Sequence, residues 1–242
     1  MWSRRIAVCT AVLPLALLVT WDAPRGISPP RPGNVPAEAR QSVPRPAIVG
    51  RAVWRADEDL VQGPAKYTGA AKAVFVHHTD HPNDYDCAKV PAMLRAMQSD
   101  HVRGQGWDDL GYNFVVDRCG TIYEGRSGGV GRSVHGAHTK GFNADSVGIG
   151  ALGNFGPGTK VPKAMVDAIV RIAAWKLRAG ADPQGKVRLV STHDDSRYPK
   201  GDAAVLHVIS GHRDTYRTRC PGDAMYERLP AIRQAAARLR ER

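Results

Sequence analysis

The chain reads as a single α/β domain built on a mixed central β-sheet flanked by helices. Two observations predict this. Short apolar, β-branched runs alternate with segments of helical periodicity, the pattern of strands covered by helices. Residues 111–117 and 121–124 also read as two strands joined by the tight turn Arg118-Cys119-Gly120, a hairpin that no all-parallel sheet contains. With 242 residues, 43% of them apolar and 24% charged, there is enough chain to bury a core of ordinary globular composition.

The elements follow in order. Residues 1–23 read as an export segment, with a basic start at Ser3-Arg-Arg5 and an apolar run from Ile6 to Thr20 that is short for a membrane span. Trp21-Asp22 and Pro24 obscure the cleavage position, which leaves a cleaved signal and an uncleaved anchor open. Either one takes the protein out of the cytoplasm. Residues 24–47 form a proline-rich linker, and residues 48–242 the folded domain. Within it, Ile48-Val49 opens the fold and Trp54 is a core anchor. Ala73 to His78 is a short buried strand. Cys87 to Arg103 is a helix with Pro91 in its first turn, Met93, Leu94, Met97 and His101 on one face, and Gly104 as its stop.

After the hairpin, Gly125 to Gly131 lacks the Lys-Ser/Thr ending of a phosphate loop and reads as plain loop. Ser146 to Leu152 is another strand. Pro162 starts a helix expected to run to about Ala179, with Met165, Ile169, Ile172, Ala173 and Leu177 inward and Gly180 ending it. Val187–Val190 and Ala203–Val208 are two strands flanking a polar excursion. Met225, Leu229, Ile232 and Leu239, interrupted by Pro230, make two short helices or one kinked helix.

A balance of 34 basic against 23 acidic residues gives a formal charge of +11. That excess serves solubility or attracts a polyanion such as an anionic cell wall. Nucleic acid is set aside, because no zinc-finger spacing, aromatic ribonucleoprotein strand or basic zipper region accompanies the charge.

The chemistry concentrates in Ile209-Ser-Gly-His-Arg-Asp-Thr-Tyr-Arg-Thr-Arg-Cys-Pro-Gly222. Pro221 suits the first position of a helix, which would put Cys220 at a helix start, where the dipole favours a thiolate. A thiolate and an imidazole, Cys220 and His212, are two ligands of a zinc site. A third is offered by His77-His78 at a strand end. Side chains alternate along a strand, so only one of that pair reaches the metal, and the spacing leaves open which. Export also bears on the cysteines. Cys9 falls in the export segment, leaving Cys87, Cys119 and Cys220, an odd number in an oxidising compartment. Pairing Cys87 with Cys119 frees Cys220 for the metal.

Several motifs then resemble, in order, those of the peptidoglycan recognition protein family. They are Arg51-Ala-Val-Trp54, Val76-His-His-Thr79, Gly106-Trp-Asp-Asp-Leu-Gly-Tyr-Asn-Phe114, Ile122-Tyr-Glu-Gly-Arg126, Gly136-Ala-His138 with Asn143, Ser146-Val-Gly-Ile149, and Gly211-His-Arg-Asp214 with Thr218-Arg-Cys-Pro-Gly222. The family includes zinc-dependent N-acetylmuramoyl-L-alanine amidases related to a phage lysozyme, and residues 186–206 resemble its secreted bacterial branch. The resemblance implies a Zn2+ ion on His77, His212 and Cys220, a catalytic Tyr112 and an assisting Thr218. It also implies a peptide-binding groove containing Trp107, Arg126, His138 and Asn143. The implied reaction is hydrolysis of the amide joining N-acetylmuramic acid to L-alanine in peptidoglycan, by a monomer secreted to the cell wall. The rival from another class is a peptidoglycan-binding module without activity, in which the cysteine ligand is typically lost; here Cys220 is present. A zinc endopeptidase lacks the support of a His-Glu-x-x-His helix.

Overall fold

The computed structural model describes residues 43–241. The export segment and most of the proline-rich linker lie outside them. The apolar run Ala73-Val-Phe-Val forms β1 (Ala73–His78), and its neighbours explain why it is apolar on both sides. β1 lies inside a five-stranded sheet of order β3-β2-β4-β1-β7. Here β2 is Phe114–Val116, β3 is Ile122–Glu124, β4 is Ser146–Ala151 and β7 is Ile209–Gly211. β2, β4, β1 and β7 run parallel and β3 returns antiparallel to β2. The hairpin is therefore what makes the sheet mixed. Val49 and Tyr123 form a bridge that ties the entry of the domain to β3.

Because side chains alternate, one sheet face collects Val74, Val76, Val147, Ile149, Phe114 and Val116. These pack against α3 (Lys163–Lys176) and α5 (Leu229–Arg240), whose Met165, Ile169, Ile172 and Ile232 are fully buried. The other face is covered at one end by α1 (Arg51–Trp54) and α2 (Val90–Ser99), where Trp54, Leu94 and Met97 meet Val115, Tyr123 and Leu152. At its other end, Phe75 meets Phe142 and the small antiparallel sheet of β5 (Lys186–Val190) and β6 (Ala203–His207). Among the described residues no helix is long and apolar enough to cross a membrane.

Two expectations are corrected. α3 stops at Lys176 and Leu177 is already extended, three residues before Gly180. The reason is distant in sequence: the Arg240 guanidinium from α5 donates to the carbonyls of Ala174 and Leu177, at 2.6 and 3.0 Å, and also to that of Arg178. A side chain ends this helix where a glycine was expected. The second correction concerns Pro221, which follows Cys220 through a cis peptide and lies outside any helix. The helix beyond it, α4 (Asp223–Tyr226), begins only after Gly222 and is four residues long. Cys87 and Cys119, 32 residues apart, form the expected disulfide, and Cys220 is free.

Candidate metal centre

Parallel pairing builds the centre at the carboxyl ends of three strands. His77 lies opposite Gly150 of β4, and Val76 lies opposite Gly211 of β7. The residue after Gly211 is His212, so the ladder alone sets the two histidines side by side, with ring centroids 4.4 Å apart. Cys220 arrives from the following loop. That loop is braced by Arg213, which donates to Asp223 at 2.6 Å and stacks over the Tyr226 ring. Asp214 accepts from Gly211 N–H and from the Tyr226 hydroxyl.

One donor atom each from His77, His212 and Cys220 lies within 4.8 Å of the others. The two histidines of the pair differ in what they meet. His77 faces Cys220, with Nδ1 3.8 Å from Sγ. His78 belongs to the opposite alternation and contributes its backbone N–H, which donates to Cys220 Sγ at 3.3 Å. Among the described residues the His78 Nδ1 is buried with no hydrogen-bond partner.

The protonation states suit a soft divalent cation. Burial, then the neighbouring His212, His138 and His78, holds His77 well below the usual imidazole range. Burial and then His78 bring His212 down to about 4. Both rings are thus neutral and can offer lone pairs. For Cys220 the sequence expectation of a helix-start thiolate does not hold, since burial pushes its thiol up to about 12, against the opposing pull of the His78 N–H and Arg213. A thiol so buried ionises when a bound cation supplies the compensating charge. Two nitrogens and one sulfur converging on one point are a donor set that zinc accepts.

Around this cluster the sheet is hollowed by glycine. A Cβ on Gly150 would lie 2.8 Å from the Tyr112 ring, and one on Gly148 would lie 2.3 Å from the His138 ring. Neither side chain could lie against β4 otherwise. Tyr112 sits 5.3 Å from His77 ring to ring, and its hydroxyl donates to the His78 carbonyl at 3.3 Å. Burial, and then the charges of Cys220 and Asp80, raise its pKa far above the usual phenol value, so it remains a donor. Thr218 stands two residues before Cys220 and accepts the Cys220 N–H through Oγ1 at 3.1 Å.

The four residues that the resemblance assigns to a groove have distinct surroundings. Trp107 packs on the His101 ring at 4.7 Å. Arg126 donates to the carbonyls of Asp109 and Leu110 and to the Asp108 carboxylate. Asn143 accepts from the backbone N–H groups of His138 and Thr139. His138 is buried directly behind His77, and burial above all brings its pKa to about 3.

Sequence reasoning missed two contributors. His101, assigned only to the apolar face of a helix, sits in the π-helical segment Asp100–Gly104 that continues α2, accepts the Gly111 N–H at 3.0 Å and meets Tyr112 edge-on. Gln98 is fully buried and joins Asp57 and Asp109, with Arg51 on the far side of Asp109. A polar residue at a buried helical spacing was the available signal for Gln98. Together α2 and Tyr112 border a cleft of about 270 Å³ lined by Thr79, His81, Ala96, Met97, Asp100 and His101.

The family profile described as N-acetylmuramoyl-L-alanine amidase matches residues 67–223, which include all three clustered donors. The chain belongs to this family. An N-acetylmuramoyl-L-alanine amidase of Sus scrofa is 34% identical over 193 residues, covering 76% of this chain but 27% of the relative. The chain thus spans little more than a quarter of that mammalian amidase. Peptidoglycan-recognition protein 1 of Holotrichia diomphalia is 28% identical over 197 residues, 80% of this chain and 85% of its own length. Among solved structures, a point mutant of Drosophila PGRP-LB in complex with tracheal cytotoxin superposes with a TM-score of 0.58 at 26% identity, covering 75% of this chain and 92% of that one. The amidase-family fold is therefore shared with peptidoglycan recognition proteins.

Proposed function

We propose that this amidase-family chain hydrolyses the amide between N-acetylmuramic acid and L-alanine in peptidoglycan, using zinc held by His77, His212 and Cys220. The observation that carries the reading is the convergence of those three donors within 4.8 Å, beside the hydroxyl of the half-buried Tyr112. A chain that only bound peptidoglycan would have no use for a buried thiol aimed at two neutral imidazoles. The amidase relatives and the PGRP-LB complex with tracheal cytotoxin support the substrate class.

A zinc ion held there supplies Lewis acidity, making water nucleophilic at neutral pH and polarising the scissile carbonyl. The chain's own residues do the rest. Tyr112 keeps its proton and donates to the oxygen on which charge develops. Thr218 shapes the turn that presents Cys220 and offers its hydroxyl at the rim. The cleft along α2 takes the stem peptide, and Trp107, Arg126 and Asn143 hold the loops that border it. Export by residues 1–23 places the domain, residues 48–242, at the cell wall as a monomer, and the +11 charge draws it to anionic wall polymers.

Mass analysis of digested cell wall tests the reading, because only this cleavage releases stem peptides with a free amino-terminal L-alanine. The zinc-loaded parent releases them, and Cys220→Ser loses both zinc and at least about 10³-fold of the rate, since a protonated hydroxyl is a poor zinc ligand. A zinc-loaded parent that retains muropeptide without cleaving it would favour the binding-module reading.

A further inference from the structure

His138 does not behave as a groove residue. It is 5% exposed, so its ring is out of reach of a peptide in the cleft. Its two ring nitrogens instead join two other groups. Nδ1 lies 3.2 Å from Nε2 of His77, and Nε2 lies 3.4 Å from Oγ of Ser146. Ser146 Oγ in turn lies 2.7 Å from the backbone carbonyl of Phe142.

The direction of this chain of bonds is fixed from its far end. A carbonyl only accepts, so the single hydroxyl proton of Ser146 points at Phe142. What Ser146 has left for His138 is a lone pair, so His138 Nε2 carries the hydrogen. A neutral imidazole carries one hydrogen, so His138 Nδ1 is bare and accepts from His77 Nε2–H. The His77 Nδ1 is then bare as well, and it is this nitrogen that faces Cys220. The ring of His138 has little freedom to escape the arrangement. Cβ atoms built on Gly148 and Gly136 would come within 2.3 and 2.5 Å of it, and Asn143 holds its backbone.

We infer that His138 is a positioning residue, which with Ser146 and the Phe142 carbonyl locks His77 in the tautomer whose Nδ1 lone pair is presented to the metal. This rests on the zinc reading given above. Its energetic content is that of an outer hydrogen bond to a ligating histidine, which fixes ring orientation and raises ligand basicity.

The experiment joins two measurements on the disulfide-bonded protein. Long-range proton–nitrogen correlation spectra of ¹⁵N-histidine-labelled parent, metal-free and zinc-loaded, report the tautomers. The expected result is hydrogen on Nε2 of both His77 and His138. Chelator competition reports zinc affinity, and His138→Phe, which keeps a ring but neither nitrogen, should weaken zinc about 10–100-fold. His138→Gln, whose amide can accept from His77 and donate to Ser146, should recover most of the loss. A parent that takes up no zinc overturns the zinc reading. A zinc-binding parent with the His138 hydrogen on Nδ1, or a His138→Phe variant within about twofold of the parent's affinity, overturns the relay alone. If His138→Phe fails to fold, the parent's spectra still decide.

Discussion

Ile149 and Gly150 are neighbours on β4 and belong to different worlds. Ile149 points into the dry layer between the sheet and α3 and α5, where it is fully buried among aliphatic side chains. Gly150 opens on the other face, where the missing side chain leaves room for the Tyr112 ring beside His77. The same alternation separates Val76 from His77. One face is apolar throughout, and the other, between its two apolar ends, is hollowed out to take the Tyr112 and His138 rings. The lesson is that, on the proposed function, stability and activity are interleaved residue by residue along one strand, so adjacent substitutions should have opposite signatures.

The sharpest break of that contrast is Tyr112→Phe, which leaves the packing of both faces intact. Zinc content and thermal stability should stay near the parent's, while kcat on a soluble muropeptide falls about 10²–10³-fold, the usual effect of losing one donor to a developing oxyanion.

The paired substitutions come next. Gly150→Ala forces a methyl group against the Tyr112 ring, and a misplacement of about 1 Å should cost kcat about 10²-fold while the protein still melts cooperatively. Ile149→Ala should do the reverse. It should lose about 2–5 kcal/mol of stability by chemical denaturation, with kcat per folded molecule close to the parent's. Equal losses of kcat in the two variants would show that the faces are not separable.

The alternation explains what could be read from the sequence. β1, the hairpin, β4 and the excursion strands were legible because their apolar residues recur locally, and His77 and Cys220 stood out because their chemistry is rare. The early end of α3 was not legible, since it depends on Arg240 some sixty residues away. The turn around Cys220-Pro221 was misread because proline serves helix starts and tight turns equally well, and only the packing of the His212 loop decides between them. Which histidine lies beside His212 and Cys220 needed the ladder register as well as the strand. The role of Ser146 was hidden because it looks like any strand serine until Phe142 and His138 are placed beside it.

The smallest expected effect is a pH dependence to which the rings of the hollowed face contribute most. His212 and His138 titrate at about 4 and about 3 in the folded chain and near 6.5 when unfolded. Between those values the unfolded chain binds more protons, so acidification favours unfolding. The chelated protein should keep its full stability above about pH 6.5 and lose it progressively as the pH falls toward 4. Thermal melts across that range check the sign. A melting temperature that rose on acidification would contradict the neutral, buried state of these rings.

The disulfide between Cys87 and Cys119 reaches this face as well, although it lies outside the cluster of His77, His212 and Cys220. It moors the entry of α2 to the turn of the β2–β3 hairpin. Near the other end of the helix, Gln98 is tied to Asp57 and to Asp109, which Arg51 holds in turn. The helix that walls the cleft is therefore a beam clamped near both ends. Conformational entropy that a loose wall would surrender on each encounter has already been given up in folding, so on the proposed function a stem peptide would meet a slot of fixed width and keep more of its contact energy as affinity.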